Sequence, residues 1–471
     1  MKVSVQNLGI LRFAEFETSD LTIICGANNS GKTYATYALY GFLTSWNKGN
    51  QYVPWNGGHP YAPDITPSVL QKKDFDTLFD CGNVVIYIDD IKNRSSQIIA
   101  DFCKEYISHL PMIFASSKNY FPSSKFDLSV DNREIIERDK FNIFVGPKDK
   151  PFLSMTKEPN DNFSTINVLT DIKTHDQFWL SDILNNLYAD VVFGSTLPVP
   201  FISSTERTGA AIFQKELDFS RNRLLDQMSS GEKNINPGTL LNAYYDRGYA
   251  LPVNRNVDFI RALGNLRDEI GPIASEFPDI LTSFETILGG EYRVTKNEIS
   301  FVPKKSGVKL KMGESASSVR SLLDIGFYVR NLAKPGDILM IDEPELNLHP
   351  ANQRNMARLL AKLVNAGVRV FITTHSDYIL KEFNNLIMLH RGGTETDYVM
   401  NKYKYSKNEL LNAKRIKVYI AKEESITTPG ALRKQKCHTF VPVPIYEYGM
   451  EISSFDETIN LMNDIQDALS Y

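Results

Sequence analysis

Cysteine is scarce in this chain: four thiols (Cys25, Cys81, Cys103 and Cys437) occur in 471 residues. That number and scatter exclude a disulfide framework or a Cys-rich zinc site. No apolar run approaches 18 residues, which argues against a membrane-spanning helix. The opening Met1-Lys-Val-Ser-Val-Gln-Asn-Leu-Gly-Ile10 lacks the long apolar stretch of a secretion signal. Nor is there a surplus of positive charge, since 52 Lys and Arg stand against 56 Asp and Glu, a net charge of −4. No global field therefore announces nucleic acid, and any such contact must come from a local patch. With 42% hydrophobic and 23% charged residues, the composition is that of an ordinary globular protein. The expectation is a cytoplasmic protein without membrane contact, of two to four domains by length.

Against these absences one local signal stands out. An apolar strand, Leu21-Thr-Ile-Ile-Cys25, runs into Gly26-Ala-Asn28-Asn29-Ser30-Gly31-Lys32-Thr33, which fits GxxxxGK[ST], the Walker A loop. Glycines at those positions let the backbone curl until successive amides point inward at phosphates. Lys32 then reaches the β- and γ-phosphates, and the Thr33 hydroxyl binds Mg²⁺. The helix that follows has Ala35, Ala38, Leu39 and Phe42 on one face and adds its positive N-terminal end. Gly26, Asn28, Asn29, Ser30, Gly31, Lys32 and Thr33 are the expected ATP-binding residues.

The second signal lies far downstream, in Asp337-Ile-Leu-Met-Ile-Asp342-Glu343-Pro344. An apolar strand ending in Asp-Glu is the Walker B pattern. Asp342 is expected to share the metal with Thr33, and Glu343 to act as general base on the attacking water. After Glu345-Leu-Asn-Leu-His-Pro350 comes a helix with Met356, Leu359, Leu360 and Leu363 on one face, then a strand at 368–374 that ends in His375-Ser376. Ligands bind at the carboxyl ends of parallel strands. A strand-end His is by itself usually structural. Placed 32 residues after Glu343 in a chain that also carries a Walker A loop, His375 reads as a group for the γ-phosphate or the water.

Together GANNSGKT, ILMIDEPELNLHP and FITTHS resemble the ABC-type ATPase heads of the SMC, RecF and OLD group, over roughly residues 1–45 and 290–390. The resemblance implies an α/β fold, an ABC-ATPase head (a P-loop NTPase with a mixed sheet) carrying a helical, short coiled-coil-like insertion. It also implies a catalytic set of Lys32, Glu343 and His375, a D-loop region at Glu345 to Pro350, and ATP and Mg²⁺ as cofactors. Such heads work as dimers, with ATP between one loop and a Ser-rich signature on the partner. Here Ser317 or Ser318, in Met312-Gly-Glu-Ser-Ala-Ser-Ser318-Val, is expected to cap a helix and meet the γ-phosphate in trans. Val319 replaces the expected Gly, and an ordinary helix cap is the alternative. A Ser-Ser-Gly-Glu-Lys at Ser229 to Lys233 lies too far upstream of Asp342 and reads as a decoy.

Lys32 and Asp342 stand 310 positions apart, far more than a compact cassette needs, so about 150–200 residues, a domain's worth, are expected between them. The boundaries read as 1–200 for the first part of the head, 201–289 for the helical insertion and 290–390 for the second part of the head. Residues 391–471 read as a small C-terminal α/β extension without nuclease motifs. Strands are expected at 84–88 and 141–145 on the head's antiparallel side. Phe259, Leu263, Leu266, Ile270, Ile273, Phe277, Ile280, Phe284 and Ile287 make a heptad stripe. It marks either helix-on-helix packing in a short module or a face packed on the head. Gly271-Pro272 and Pro278 break any continuous rod. Arg207, in Thr205-Glu-Arg-Thr-Gly209, resembles an Arg-Gly motif of many defence-type ATPases; it senses nucleotide or a partner, or it sits in an exposed turn.

Lys304, Lys305, Lys309 and Lys311 form one basic run and Arg433-Lys-Gln-Lys436 another, so DNA contact stays open. With no nuclease motif of its own, the chain most resembles the ATPase subunits of prokaryotic anti-phage systems of the PARIS or Septu type. That resemblance implies head-to-head dimers within a larger homo-oligomer, a separately encoded effector, most simply a nuclease, and a phage protein as trigger. The alternative is a RecF- or SMC-like repair ATPase that clamps DNA in an ATP-dependent way.

Overall fold

The computed structural model describes residues 1–48, 65–117, 119–170, 177–212, 249–295, 298–451 and 456–469. The Ser229 to Lys233 stretch and most of the loop expected around 54–67 lie outside the described residues.

The strands in chain order are β1 (Lys2–Leu8), β2 (Leu11–Glu17), β3 (Leu21–Gly26), β4 (Asn83–Tyr87), β5 (Lys125–Ser129), β6 (Phe141–Val145), β7 (Leu153–Lys157), β8 (Phe163–Val168) and β9 (Pro200–Ser203). Then follow β10 (Gly290–Val294), β11 (Ile299–Pro303), β12 (Leu310–Lys311), β13 (Ile338–Asp342), β14 (Arg369–Thr374), β15 (Ile416–Ile426) and β16 (Gln435–Pro442). Among the described residues, nine of these build one mixed sheet in the order β5-β1-β2-β16-β15-β3-β14-β13-β9. One end of it, β15, β3, β14, β13 and the edge strand β9, is parallel, and the rest holds the antiparallel pairs β1–β2, β1–β5 and β15–β16. The change from parallel to antiparallel falls between β15 and β16, and β16 joins the β1–β2 hairpin through a short parallel contact, His438 with Leu11.

Helices cover both faces, so the parallel strands read as unbroken apolar runs. Alternation then assigns each side chain to a face. Ile24, Met340 and Phe371 point to a core shared with α1 (Lys32–Trp46) and α2 (Gln177–Phe193), through Ala35, Ala38, Leu39, Phe42, Leu184 and Tyr188. Leu21, Ile23, Leu339, Ile341, Val370 and Ile372 point to the opposite core. That second core takes α3 (Leu251–Leu266), α4 (Pro272–Glu276), α5 (Pro278–Leu288), α6 (Ser317–Ser321) and α7 (Leu323–Phe327), then α8 (Pro350–Asn365) and α9 (Asp377–His390).

The stripe at 259–287 is settled by this burial. Phe259, Leu263, Leu266, Ile273, Ile280, Phe284 and Ile287 all lie within the core on the sheet's second face, while Ile270 is exposed. Gly271-Pro272 and Pro278 divide the stretch into α3, α4 and α5, each prolyl ring standing in the first turn of its helix. The stripe therefore packs on the head.

Two strand expectations are met in position but not in place. β4 and β6 belong to a separate sheet of order β4-β8-β7-β6 and, among the described residues, pair with no strand of the central sheet. Residues 391–471, an extension in sequence, contribute two strands to the central sheet, where β15 runs parallel to β3 and β16 pairs back on β15. A final helix, α10 (Asp456–Leu469), follows. No helix among the described residues is long and apolar enough to cross a membrane.

Candidate functional site

The carboxyl ends of β3, β14, β13 and β9 lie side by side, and the loops leaving them make the site. After β3 the chain turns through Gly26 (φ 143°), Asn29 (φ 59°) and Gly31 (φ 93°). A Cβ on Gly26 would stand 2.4 Å from the Ala421 carbonyl oxygen of β15, and one on Gly31 would stand 2.6 Å from the Leu11 side chain. Both positions thus need glycine for space as well as for backbone conformation. Gly31 ends the turn at the head of α1, where no side chain caps the helix, so its first-turn amides are left for a ligand. Lys32 is buried, its Nζ donating to the carbonyls of Gly26 at 2.9 Å and Ala27 at 2.8 Å. Burial pushes its pKa down, while Asp342, Glu343 and Glu345 pull it back up.

The second group comes from β13 and β14. Thr33 Oγ1 donates to Asp342 Oδ2 at 3.0 Å across 309 residues of chain, and the Thr373 hydroxyl donates to the other carboxylate oxygen. Asp342 is buried, which pushes its pKa up. Glu343 has a left-handed backbone (φ 56°), with its N–H on the Thr373 carbonyl at 3.0 Å. Its Oε1 lies 3.5 Å from His375 Nδ1. Glu345 Oε1 accepts from Thr374 Oγ1 and from the His375 N–H, both at 2.8 Å, and lies 3.4 Å from His375 Nδ1. Burial raises the Glu345 pKa as well. His375 thus sits between two carboxylates, one half-exposed and one buried.

A family model described as "AAA ATPase domain" matches residues 1–190 and 240–380. The chain belongs to the AAA ATPase domain family. Within it, a 119-residue stretch, 24% of this chain, is 28% identical to the ABC multidrug transporter I of Aspergillus fumigatus. The chain spans only 8% of the length of that relative. Among solved structures, the Smc head domain with an extended coiled coil from Pyrococcus furiosus, bound to the C-terminal domain of ScpA, is 13% identical. That match covers 99% of this chain and 98% of the other, at a TM-score of 0.31. The SMC head domain from Thermotoga maritima is 11% identical over 94% and 98%, at a TM-score of 0.30.

In this AAA ATPase domain, Gly26, Asn28, Asn29, Ser30, Gly31, Lys32 and Thr33 form one continuous turn, with Asp342, Glu343 and His375 gathered beside it. Among the described residues, Ser317 and Ser318 make no hydrogen bond to that turn. Neither caps α6: the N-cap is Ala316, without a side-chain bond, because both serines already lie inside the first turn. Ser317 Oγ instead accepts from Arg320 at 3.0 Å. Arg207 is not in an exposed turn. It is 2% exposed, and its guanidinium donates to the carbonyls of Ser204, Ser321, Asp342 and Glu343. Sequence reasoning missed Glu345 as the anchor beneath His375; its place two residues beyond Glu343 was the available signal.

The residues fit a magnesium nucleotide. Ser30 Oγ is buried without a hydrogen-bond partner among the described residues, in a loop whose amides have no capping side chain. Asp342 and Thr33 pair one hard carboxylate with one hydroxyl. Among the described residues, no group of three or more His, Cys, Asp or Glu is placed to hold a metal by itself. A hard ion that keeps its waters and borrows phosphate oxygens suits so sparse a donor set.

Proposed function

We propose that this chain binds and hydrolyses ATP and, as a sensor or scaffold, controls a separately encoded effector, a nuclease or toxin, in defence against phage. The ATPase part is carried by one observation, the Thr33 to Asp342 contact that joins the glycine turn to the Asp-Glu strand. Residues 1–200 and 290–390 are the two parts of the head, 201–289 the insertion, and 391–471 adds strands to the head's sheet.

In this reading the loop amides and Ser30 receive the phosphates, and Lys32 exchanges the carbonyls of Gly26 and Ala27 for β- and γ-phosphate oxygens. Thr33 and Asp342 hold Mg²⁺, which when bound neutralises charge developing on those oxygens. Glu343 accepts a proton from water as the water oxygen bonds to the γ-phosphorus and the β–γ bridge breaks, giving ADP and phosphate. His375, within 3.5 Å of that carboxylate, orients the water or the γ-phosphate. Two heads pair across ATP, with Ser317 and Ser318 of one facing the loop of the other; those serines are not engaged with their own loop. The defence role rests on the resemblance of the motifs to anti-phage ATPase subunits, in which ATP-bound pairs within a larger homo-oligomer hold the effector until a phage protein is sensed.

A Glu343→Gln change tests the hydrolytic part: it should retain ATP, stop turnover and trap the paired heads on a sizing column. Near-normal hydrolysis would mean that the base is another group. The effector part fails if the chain stays a monomer with ATP and nothing from the neighbouring reading frame co-purifies.

The repair-type DNA clamp is favoured by one surface feature. Lys304, Lys305 and Lys309 are exposed together on the turn between β11 and β12, and among the described residues they enter no ion pair. That reading requires ATP-dependent affinity for duplex DNA that falls steeply with salt.

A further inference from the structure

The four carbonyls held by Arg207 belong to three separate parts of the fold. Nη1 donates to Ser204 O at the end of β9 at 2.8 Å and to Asp342 O at 2.7 Å; Nη2 donates to Glu343 O at 2.6 Å; Nε donates to Ser321 O in α6 at 2.9 Å. Every acceptor is a main-chain oxygen, so the guanidinium sets the path of the backbone and not the rotamer of a neighbour. Its flat fork of five donors suits several carbonyls at fixed angles, which an ammonium cannot match.

Glu343 is where that path matters. Its left-handed φ of 56° is uncommon for a residue with a Cβ and persists only when its surroundings hold it. The residue is gripped from both sides, its N–H on Thr373 O and its carbonyl on Arg207. Ser321 ties in the other arm. Its carbonyl receives Arg207, and its hydroxyl lies 3.1 Å from both Ser318 O and Leu346 O. Asp324, buried in the same cluster, supplies the opposing charge.

We infer that Arg207 is a positioning residue that holds Glu343 in its reactive backbone conformation and couples it to the Ser317–Ser321 segment, so that displacing that segment switches the base off. This rests on the ATPase reading above. The guanidinium acts through the four main-chain carbonyls that it holds.

The test uses the full chain with Arg207→Lys and Asp324→Asn, measuring ATP turnover and amide hydrogen exchange. Arg207→Lys keeps the charge but cannot fill four carbonyls. Its kcat should fall by about 100-fold, the scale expected when a reacting group is displaced by ~1 Å, with KM for ATP within about threefold. Amides of 317–323 and 343–348 should lose protection together, while 338–341 in β13 keep theirs. Asp324→Asn should move both readouts the same way by less, and it decides the matter if Arg207→Lys does not fold. A kcat within twofold of the parent, a KM rise equal to the loss in kcat, or loss of protection in only one of the two segments would overturn the inference. Absence of turnover in the parent would defeat the ATPase reading instead, and the exchange arm would still decide the coupling.

Discussion

The two sides of the candidate site are built by different physics. The glycine turn between β3 and α1 is held locally: Gly26 and Gly31 take backbone conformations that side chains resist, and Lys32 is parked on carbonyls five and six residues back. The Asp-Glu side is held from a distance. Asp342 is fixed by Thr33 and Thr373, Glu343 by Arg207 and Thr373, and His375 by Glu345. Local backbone geometry makes a rigid turn, whereas a web of buried side chains can be released by moving one strand end or one helix. Under the proposed function, this comparison assigns binding to the loop side and the timing of the reaction to the Asp-Glu side.

The sharpest way to break that division is to remove one group from each side. Glu343→Gln should cut kcat by about 10³-fold or more, within the range of a lost general base, with ATP affinity nearly unchanged. Lys32→Ala should do the reverse in kind, weakening ATP binding by about 100-fold through loss of a charge-assisted phosphate contact. Equilibrium binding of a fluorescent ATP analogue beside steady-state turnover separates the two. If both variants lose binding equally, the sides are not distinct.

The same contrast explains what was legible in the sequence. The turn at 26–33 was readable to the residue, because a loop held by its own backbone must place glycine, lysine and threonine at fixed offsets. Asp342, Glu343 and His375 were readable because each ends an apolar strand. Arg207 and Glu345 could be singled out by their motifs but not given their roles, since nothing local shows that a side chain's partners lie 114 to 136 residues away or on the next strand. The heptad stripe shows the reverse failing. Its period is real, but a stripe reports only that one face is apolar, and the partners turned out to be the head's own helices, α5 lying against α8, with no second arm of a coiled coil among the described residues. The strands of 391–471 were visible as strands, but parallel pairing with β3 leaves no trace in a single segment.

Glu345 gives a smaller test of the same division. Its Oε1 serves the Thr374 hydroxyl and the His375 amide, and it touches no loop residue by hydrogen bond. Glu345→Ala should lower kcat by about tenfold through loss of His375 orientation, leaving ATP affinity intact. Glu345→Gln, which keeps an acceptor oxygen there, should cost less. A loss of affinity as large as the loss of turnover would place Glu345 with the loop.

The finest distinction is pH. Asp324 is wholly buried, and that desolvation lifts its pKa from 3.8 to about 6 even with Arg207 opposing. Ile325 N–H donates to Oδ1 at 2.8 Å, Asn256 Nδ2 stands 3.4 Å from Oδ2, and the Tyr292 phenol lies in the same field. Because the folded-state pKa lies above the unfolded one, the folded chain holds the extra proton between about pH 4 and 6. The stabilisation is therefore fully present below pH 4 and is lost as pH rises through 6, on the order of 2–3 kcal/mol at about 1.4 kcal/mol per pKa unit. Asparagine carries no such proton. Urea unfolding of the parent and of Asp324→Asn should thus show the parent gaining stability on the variant as pH falls from 7.5 to 4.5. A difference that stays flat across that range would mean that Asp324 remains charged in the folded chain.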